Sequence, residues 1–402
     1  MAPSTARRRV YLDHNATTPL RPEARAAMAA AFDLCGNASS VHAEGRAARA
    51  LIEETRAELL SFVNAPSGQA AFTSGGTEAL NLALTPHLRA DQADRRPFDL
   101  LLLGAGEHAA VRAGHRFPAA AVESVDLTAQ GTLDLDALDS ALQRHEGRRM
   151  MLVLQAANNE TGVVQPVSAA AERVHAAGGF VVCDAVQAMG KIDCDISRLG
   201  ADALALSAHK FGGPQGVGAL CFATRAPHIE EMLLRGGGQE RGLRAGTENV
   251  AGIAGLGAAL RAVKAERAAE ATRFAAWRDQ LEAEIARIAP GAYFFGAEVE
   301  RLPNTSCFAV PETEAQVLLM LLDLAGVAVS SGSACSSGKV KPSHVLAAMG
   351  VKPELARCAI RVSLGWNSHP DDYAIFVRAL EAAVGGIEAR REKAAGGTRR
   401  AG

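Results

Sequence analysis

Four short stretches carry the residues of this chain best suited to chemistry. In SAHKFGGPQGVG (207–218), His209 and Lys210 follow an apolar run and lead into a glycine-rich turn. A lysine there is either a solvated surface charge or, in a cleft that lowers its pKa, an amine able to form a Schiff base. In VVCDAVQAMGK (181–191), Asp184 ends an apolar run, where a carboxylate is costly without a cationic partner. It is either a helix N-cap or the partner of a protonated pyridine nitrogen, which keeps pyridoxal phosphate an effective electron sink. In TSGGTEALN (73–81), glycines and Thr77 at a strand-to-helix turn offer backbone N–H groups to a phosphate. An ordinary tight turn accounts for them equally. The fourth stretch, SSGSACSSG (330–338), sets Cys335 among small residues with nothing bulky to bury it. Unpaired cysteines are usually buried, so the placement suits either a movable nucleophile or a plain small-residue turn.

The elements that must position these residues alternate along the chain. QAAFTS (69–74), FDLLLLG (98–104), MMLVLQAA (150–157), GFVVCDA (179–185) and ADALALSA (201–208) have the length and composition of strands. Helical spacing follows several of them, as in PVSAAAERVHAAGG (166–179) with its glycine stop. Such alternation predicts an α/β fold with a largely parallel sheet, whose strand C-termini are where ligands bind. A long alanine-rich helix from about Glu248 to Ala289 bridges to a second unit. That unit has strands at TSCFAV (305–310) and AIRVSL (359–364), a helix at EAQVLLMLLDLAG (314–326), the Cys335 loop and a last helix from Asp371.

Bulk properties bound the rest. With 402 residues, 48% hydrophobic and 21% charged, the chain is ordinary globular protein and long enough for two domains. A formal net charge of −2 argues against nucleic acid or an anionic membrane surface as partner. Seven cysteines (35, 183, 194, 221, 307, 335 and 358) form no CxxC pair and no framework, as expected for reduced thiols in a cytoplasmic protein. No ligand spacing supports a metal site. The N-terminal residues lack the apolar core of a secretory signal, and no apolar run approaches a membrane span.

Phosphate cradle, aspartate and lysine, in that order and each at a strand end, resemble the fold-type I enzymes that use pyridoxal 5′-phosphate. More narrowly the chain resembles the cysteine desulfurases of the NifS/IscS kind, within the class V aminotransferase family. The likeness runs from YLDHNATTPL (11–20) through GNASSVHAEGR (36–46), NNETGVVQP (158–166) and RAGTENV (244–250) to the Cys335 loop. It implies a large domain with a mostly parallel seven-stranded sheet and a smaller C-terminal α/β domain. The expected boundaries are an N-terminal arm at 1–20 packing with the small domain, a large cofactor domain at 21–262, a small domain at 263–388 and a disordered tail at 389–402.

The resemblance also implies roles. Lys210 would hold the cofactor through a Schiff base and later take the substrate Cα proton. Asp184 would face the pyridine nitrogen, with Gln187 and Asn159 on the ring-hydroxyl side, Asn159 also near the substrate. Gly76, Thr77, Ser207 and His209 would hold the phosphate, and Thr247 would reach the phosphate of a neighbouring subunit in an obligate homodimer. His108, in GEHAAV (106–111), would stack on the ring and move protons. Arg361 would fork onto the substrate α-carboxylate, as guanidinium geometry suits. Cys335 would attack the sulfur of L-cysteine, release alanine and keep the sulfur as a persulfide for an acceptor such as an iron–sulfur scaffold. Gln215 stands where relatives commonly carry lysine, Trp366 and Asn367 stand where relatives often have a more polar or an aromatic-basic pair, and the tail does not resemble the scaffold-docking segment of IscS. Two other enzymes on the same fold, an aminotransferase and a selenocysteine lyase, share these elements. An inactive dimeric sulfur-carrier scaffold is the alternative of another class.

Overall fold

The computed structural model describes residues 8–90, 96–331 and 342–398. Its large sheet has seven strands in the order Gln69–Thr73, Gly218–Phe222, Ala203–Ser207, Phe180–Asp184, Met150–Gln155, Leu100–Gly104 and Val122–Val125. Gly218–Phe222 is antiparallel to both neighbours, and every other pairing among adjacent strands is parallel. Six strands therefore point one way, and their carboxyl ends form a common edge. The inner strands are apolar up to their carboxyl ends because both faces are covered. Alternate residues go to opposite cores: Leu100, Leu102, Leu152 and Leu154 to one face, Leu101, Leu103, Met151 and Val153 to the other. Gly218–Phe222 and Val122–Val125 lie outside the strands expected from the sequence. The first opens with glycine directly after the glycine-rich turn, and the second has Glu123 and Ser124 between its two valines, so neither stands out as a separate apolar run.

A second sheet of four antiparallel strands runs Tyr293–Phe294, Thr305–Ala309, Ala359–Ser363 and Ser330–Ser331. The helix Val250–Ile288 joins the two units. Its first half gives Ile253, Leu256, Leu260 and Val263 to the core of the large sheet. Its second half gives Phe274, Leu281 and Ile285 to the core under the small one. The N-terminal arm packs with that small-sheet core: Val10–Tyr11 pairs in parallel with Val327–Ala328, and Val10 and Leu12 are buried there. The last helix, Pro370–Thr398, continues past residue 389, where the sequence suggested a disordered tail. Alanine, glutamate, arginine and lysine there are good helix formers, which accounts for the difference.

Candidate active site

The strand carboxyl ends, the N-terminal arm and the small sheet enclose a cavity of about 1070 Å³. Lys210, His108, Gly76, Thr77, Asn159, Asp184, Gln187, Ser207, His209 and Arg361 all line it. Five of the six strand ends that point one way thus deliver the residues singled out in the sequence, and the small sheet adds Arg361 from Ala359–Ser363.

Asp184 is the last residue of its strand and is buried. Its Oδ1 accepts the Val186 N–H at 2.9 Å, and no helix begins there, so it is no helix N-cap. Burial pushes its carboxyl up to about 6, against the pull of the Val186 amide and of Lys210. A cation placed against it would restore the charged form. Lys210 lies just past Ala203–Ser207, and its Nζ donates to the carbonyls of Asn15 (2.7 Å) and Ala16 (3.0 Å). Burial, aided by the Arg361 charge, lowers this amine to about 8. An amine so tuned is a usable nucleophile near neutrality.

The helix Gly76–Ala83 opens at Gly75 with no side-chain cap, so its first N–H groups stay available for an anion. A Cβ at Gly76 would come within 2.4 Å of Val186 Cγ2, and only glycine leaves that approach open. Glu78, in the same turn, does not compete for the site. It accepts from the Ser74 N–H at 2.7 Å and from Arg244 Nε at 3.0 Å. Ser207 is buried beside this turn. His209 pairs through Nδ1 with Thr17 Oγ1 at 3.1 Å, and burial together with Lys210 lowers it to about 4, so it is neutral. His108 caps the short helix Ala109–Arg112, its Nδ1 accepting from the Ala110 N–H at 3.1 Å, which leaves Nε2 for the cleft. Desolvation and the Lys210 charge lower its pKa as well.

Arg361 is buried, with Nη2 on Asp13 Oδ1 at 2.7 Å and Nη1 on the Asn159 carbonyl at 2.8 Å. Its Nε has no partner among the described residues. Guanidinium has five donors, so capacity remains for an incoming carboxylate. Thr247 stands apart from this group: it is exposed and lines a neighbouring hollow with Ser74, Gly216 and Arg244. Cys335 lies outside the described residues, but Ser331 and Pro342, on either side of its segment, both line the cavity. No cysteine among the described residues lines it. Cys183, Cys194, Cys221, Cys307 and Cys358 are buried, with burial pushing their thiols up, and only Cys35 is exposed.

Several participants have no role in the sequence analysis above. Asp13, Asn15, Ala16 and Thr17 of the arm hold three of the named side chains. Their signal was the dense polar run DHNATT (13–18) directly after a strand. Glu160 accepts from Ser343 Oγ at 2.5 Å, and burial raises it to about 7. His344 Nε2 meets the Glu107 carbonyl at 2.9 Å. Gln215 contributes a weak contact to Thr17 at the cavity rim, 3.5 Å. Trp366 Nε1 donates to the Pro19 carbonyl at 2.8 Å and its ring stacks under Arg21, so it anchors the arm.

Residues 10–376 match the family model described as aminotransferase class-V. The chain belongs to that family. A curated cysteine desulfurase of Cereibacter sphaeroides is 44% identical over 379 residues, spanning 93% of this chain and 94% of that protein. The NifS-like protein from Rickettsia africae ESF-5 superposes with a TM-score of 0.82 at 31% identity, over 94% of this chain and 99% of that one. A third relative, SspA, was solved in complex with cysteine and superposes at a TM-score of 0.69 with 26% identity, over 88% and 98% of the two chains. The family depends on pyridoxal phosphate. The residues fit that group on their own terms: an uncapped helix N-terminus for its phosphate, a buried carboxyl in want of a cation, and an amine made nucleophilic between them. No helix among the described residues is long and apolar enough to cross a membrane.

Proposed function

We propose that this chain is a pyridoxal-phosphate-dependent cysteine desulfurase, converting L-cysteine to L-alanine with the sulfur held as a persulfide on Cys335. The observation that carries the reading is the convergence of Lys210, Asp184 and Arg361 on one cavity. Similarity to curated cysteine desulfurases supports it, as does a relative that holds cysteine.

When bound, the cofactor supplies an electron sink for charge developing at the substrate Cα. The chain supplies everything else. The amides opening Gly76–Ala83, with Thr77, Ser207 and His209, would hold its phosphate. Asp184 would keep the pyridine nitrogen protonated, Gln187 and Asn159 would serve the ring-hydroxyl side, and His108 would stack on the ring. Arg361 orients the substrate through its carboxylate, and the Lys210 amine removes the Cα proton. The Cys335 thiolate then forms a bond to the substrate sulfur as the Cβ–S bond breaks. Its electron pair stays on Cβ, which takes a proton; Lys210 returns a proton to Cα, and the product leaves as alanine. The sulfur passes to an acceptor, of which an iron–sulfur scaffold is one. Thr247, exposed and outside its own cavity, reaches the phosphate of a second copy, and exposed Phe32 and Val41 provide apolar surface for such a homodimer.

The test is sulfide and alanine production from L-cysteine with a reductant, together with an absorbance band near the visible edge. Lys210→Ala should lose both, and Cys335→Ala should keep the band but release no sulfide. Full sulfide release by Cys335→Ala would refute the persulfide route. A colourless wild-type protein that fails to bind pyridoxal phosphate would refute the whole reading.

A further inference from the structure

Lys191 has no part in the chemistry above, yet it points at the cavity's wall. It ends the turn after Phe180–Asp184, and its Nζ donates to Gln187 Oε1 and Asn15 Oδ1, each at 2.8 Å. Among the described residues no carboxylate bonds to it. Instead Lys210 and Arg361 add their charge to desolvation, and the amine is held well below its usual pKa.

Both its acceptors are oriented independently. Gln187 Nε2 donates to the Asn15 backbone carbonyl at 2.8 Å, and a carbonyl only accepts, so Gln187 Oε1 must face Lys191. Asn304 Nδ2 donates to the Leu364 carbonyl at 2.7 Å and approaches Asn15 Oδ1 at 3.3 Å. Asn15 Nδ2 in turn donates to Thr305 Oγ1 at 2.9 Å. Lys191 therefore meets two oxygens, to which an amine donates whether or not it is protonated.

The consequence falls on Gln187, which is buried and lines the cavity. Its oxygen is engaged by Lys191 and one N–H by Asn15, which leaves the second N–H for whatever fills the cavity. Without Lys191 the oxygen would be a buried acceptor with no donor, and the Asn15 carbonyl would be the amide's one remaining anchor among the described residues. We propose that Lys191 is a positioning residue that, together with the Asn15 carbonyl, holds the Gln187 amide so that it presents an N–H, and not its oxygen, to the ring-hydroxyl side of the bound cofactor. This rests on the pyridoxal-phosphate reading above.

A donor on the ring hydroxyl oxygen competes for that oxygen with the adjacent Schiff-base N–H. It thereby lowers the proton affinity of the Schiff-base nitrogen, and its loss raises it. The experiment is a spectrophotometric pH titration of the visible-edge band in the holoprotein. Lys191→Met should raise the midpoint by about one pH unit, roughly tenfold in proton affinity, and Lys191→Gln, whose amide can still donate to Gln187, should keep it nearer the wild-type value. Gln187→Met should give a similar rise, and adding Lys191→Met to it should give no more. If Lys191→Met does not fold, Lys191→Leu carries the same comparison. An unchanged midpoint, or effects that simply add in the double variant, overturns the proposal while the band itself still supports the cofactor. Absence of the band in the wild type would bring down the underlying reading as well.

Discussion

Two cations face each other across this cavity, and the same N-terminal arm holds both in different ways. Lys210 is bound by two neutral carbonyls, those of Asn15 and Ala16. Arg361 receives a true counterion, Asp13, two residues earlier in the arm. A carbonyl accepts a hydrogen bond from an ammonium without the full Coulomb reward of a carboxylate, so burial wins and Lys210 drops to about 8. Arginine does not titrate in the accessible range, and a buried guanidinium needs charge compensation to be tolerated at all. The arm thus lets one cation give up its proton and keeps the other charged. In the proposed reaction these are the needs of a base and of a carboxylate anchor.

Several substitutions test that contrast, beginning with the largest effect. Lys210→Ala should remove the covalent chromophore and lower alanine formation by at least about 10³-fold, since positioned general bases contribute on that scale. Lys210→Arg should do no better, because an arginine there cannot lose its proton. Arg361→Lys should lower kcat/KM for L-cysteine by roughly 10- to 100-fold, the scale of a lost charged hydrogen bond, while leaving cofactor binding intact. Equal losses of cofactor and substrate affinity would show that the two cations are not separable.

The subtler test concerns the arm. Apoprotein should take up pyridoxal phosphate faster as pH rises through about 8, where the Lys210 amine becomes free. The Asp13 charge raises that pKa, so Asp13→Asn should move the uptake profile to lower pH and weaken cysteine binding only a few-fold. A profile that stays in place would mean Asp13 serves Arg361 alone. The smallest expected effect lies in stability. Glu160, buried near Arg361, is raised from its ordinary 4.5 to about 7. The folded state therefore holds its proton longer than the unfolded one, so stability falls as pH rises from about 4.5 to 7 and levels off above. The group's share is at most ~3 kcal/mol. Denaturant titrations of Glu160→Gln apoprotein should show a flatter pH dependence across that window.

Much of this was legible before any coordinates. The inner strands announce themselves because strands covered on both faces must be apolar throughout, and the residues just past them are where such sheets place chemistry. Lys210, Asp184 and Gly76 were found that way. Gly218–Phe222 escaped because a short glycine-led run looks like part of the turn before it. The arm escaped for a different reason: YLDHNATTPL could be matched as a motif, but its work is done largely by backbone carbonyls, which every residue has. Lys191 escaped because nothing in its own neighbourhood separates it from a surface lysine.

The sequence by itself determined the fold class, the family and the set of reactive groups. These rest on local facts: apolar periodicity, residue chemistry and order along the chain. Only the tertiary structure decided which partner each group has. It brought Asn15 against Lys210 and Asp13 against Arg361 across separations of 195 and 348 residues. Proton affinity depends on burial and on charges within a few ångströms, and those are set by packing between distant segments rather than by neighbours in the chain.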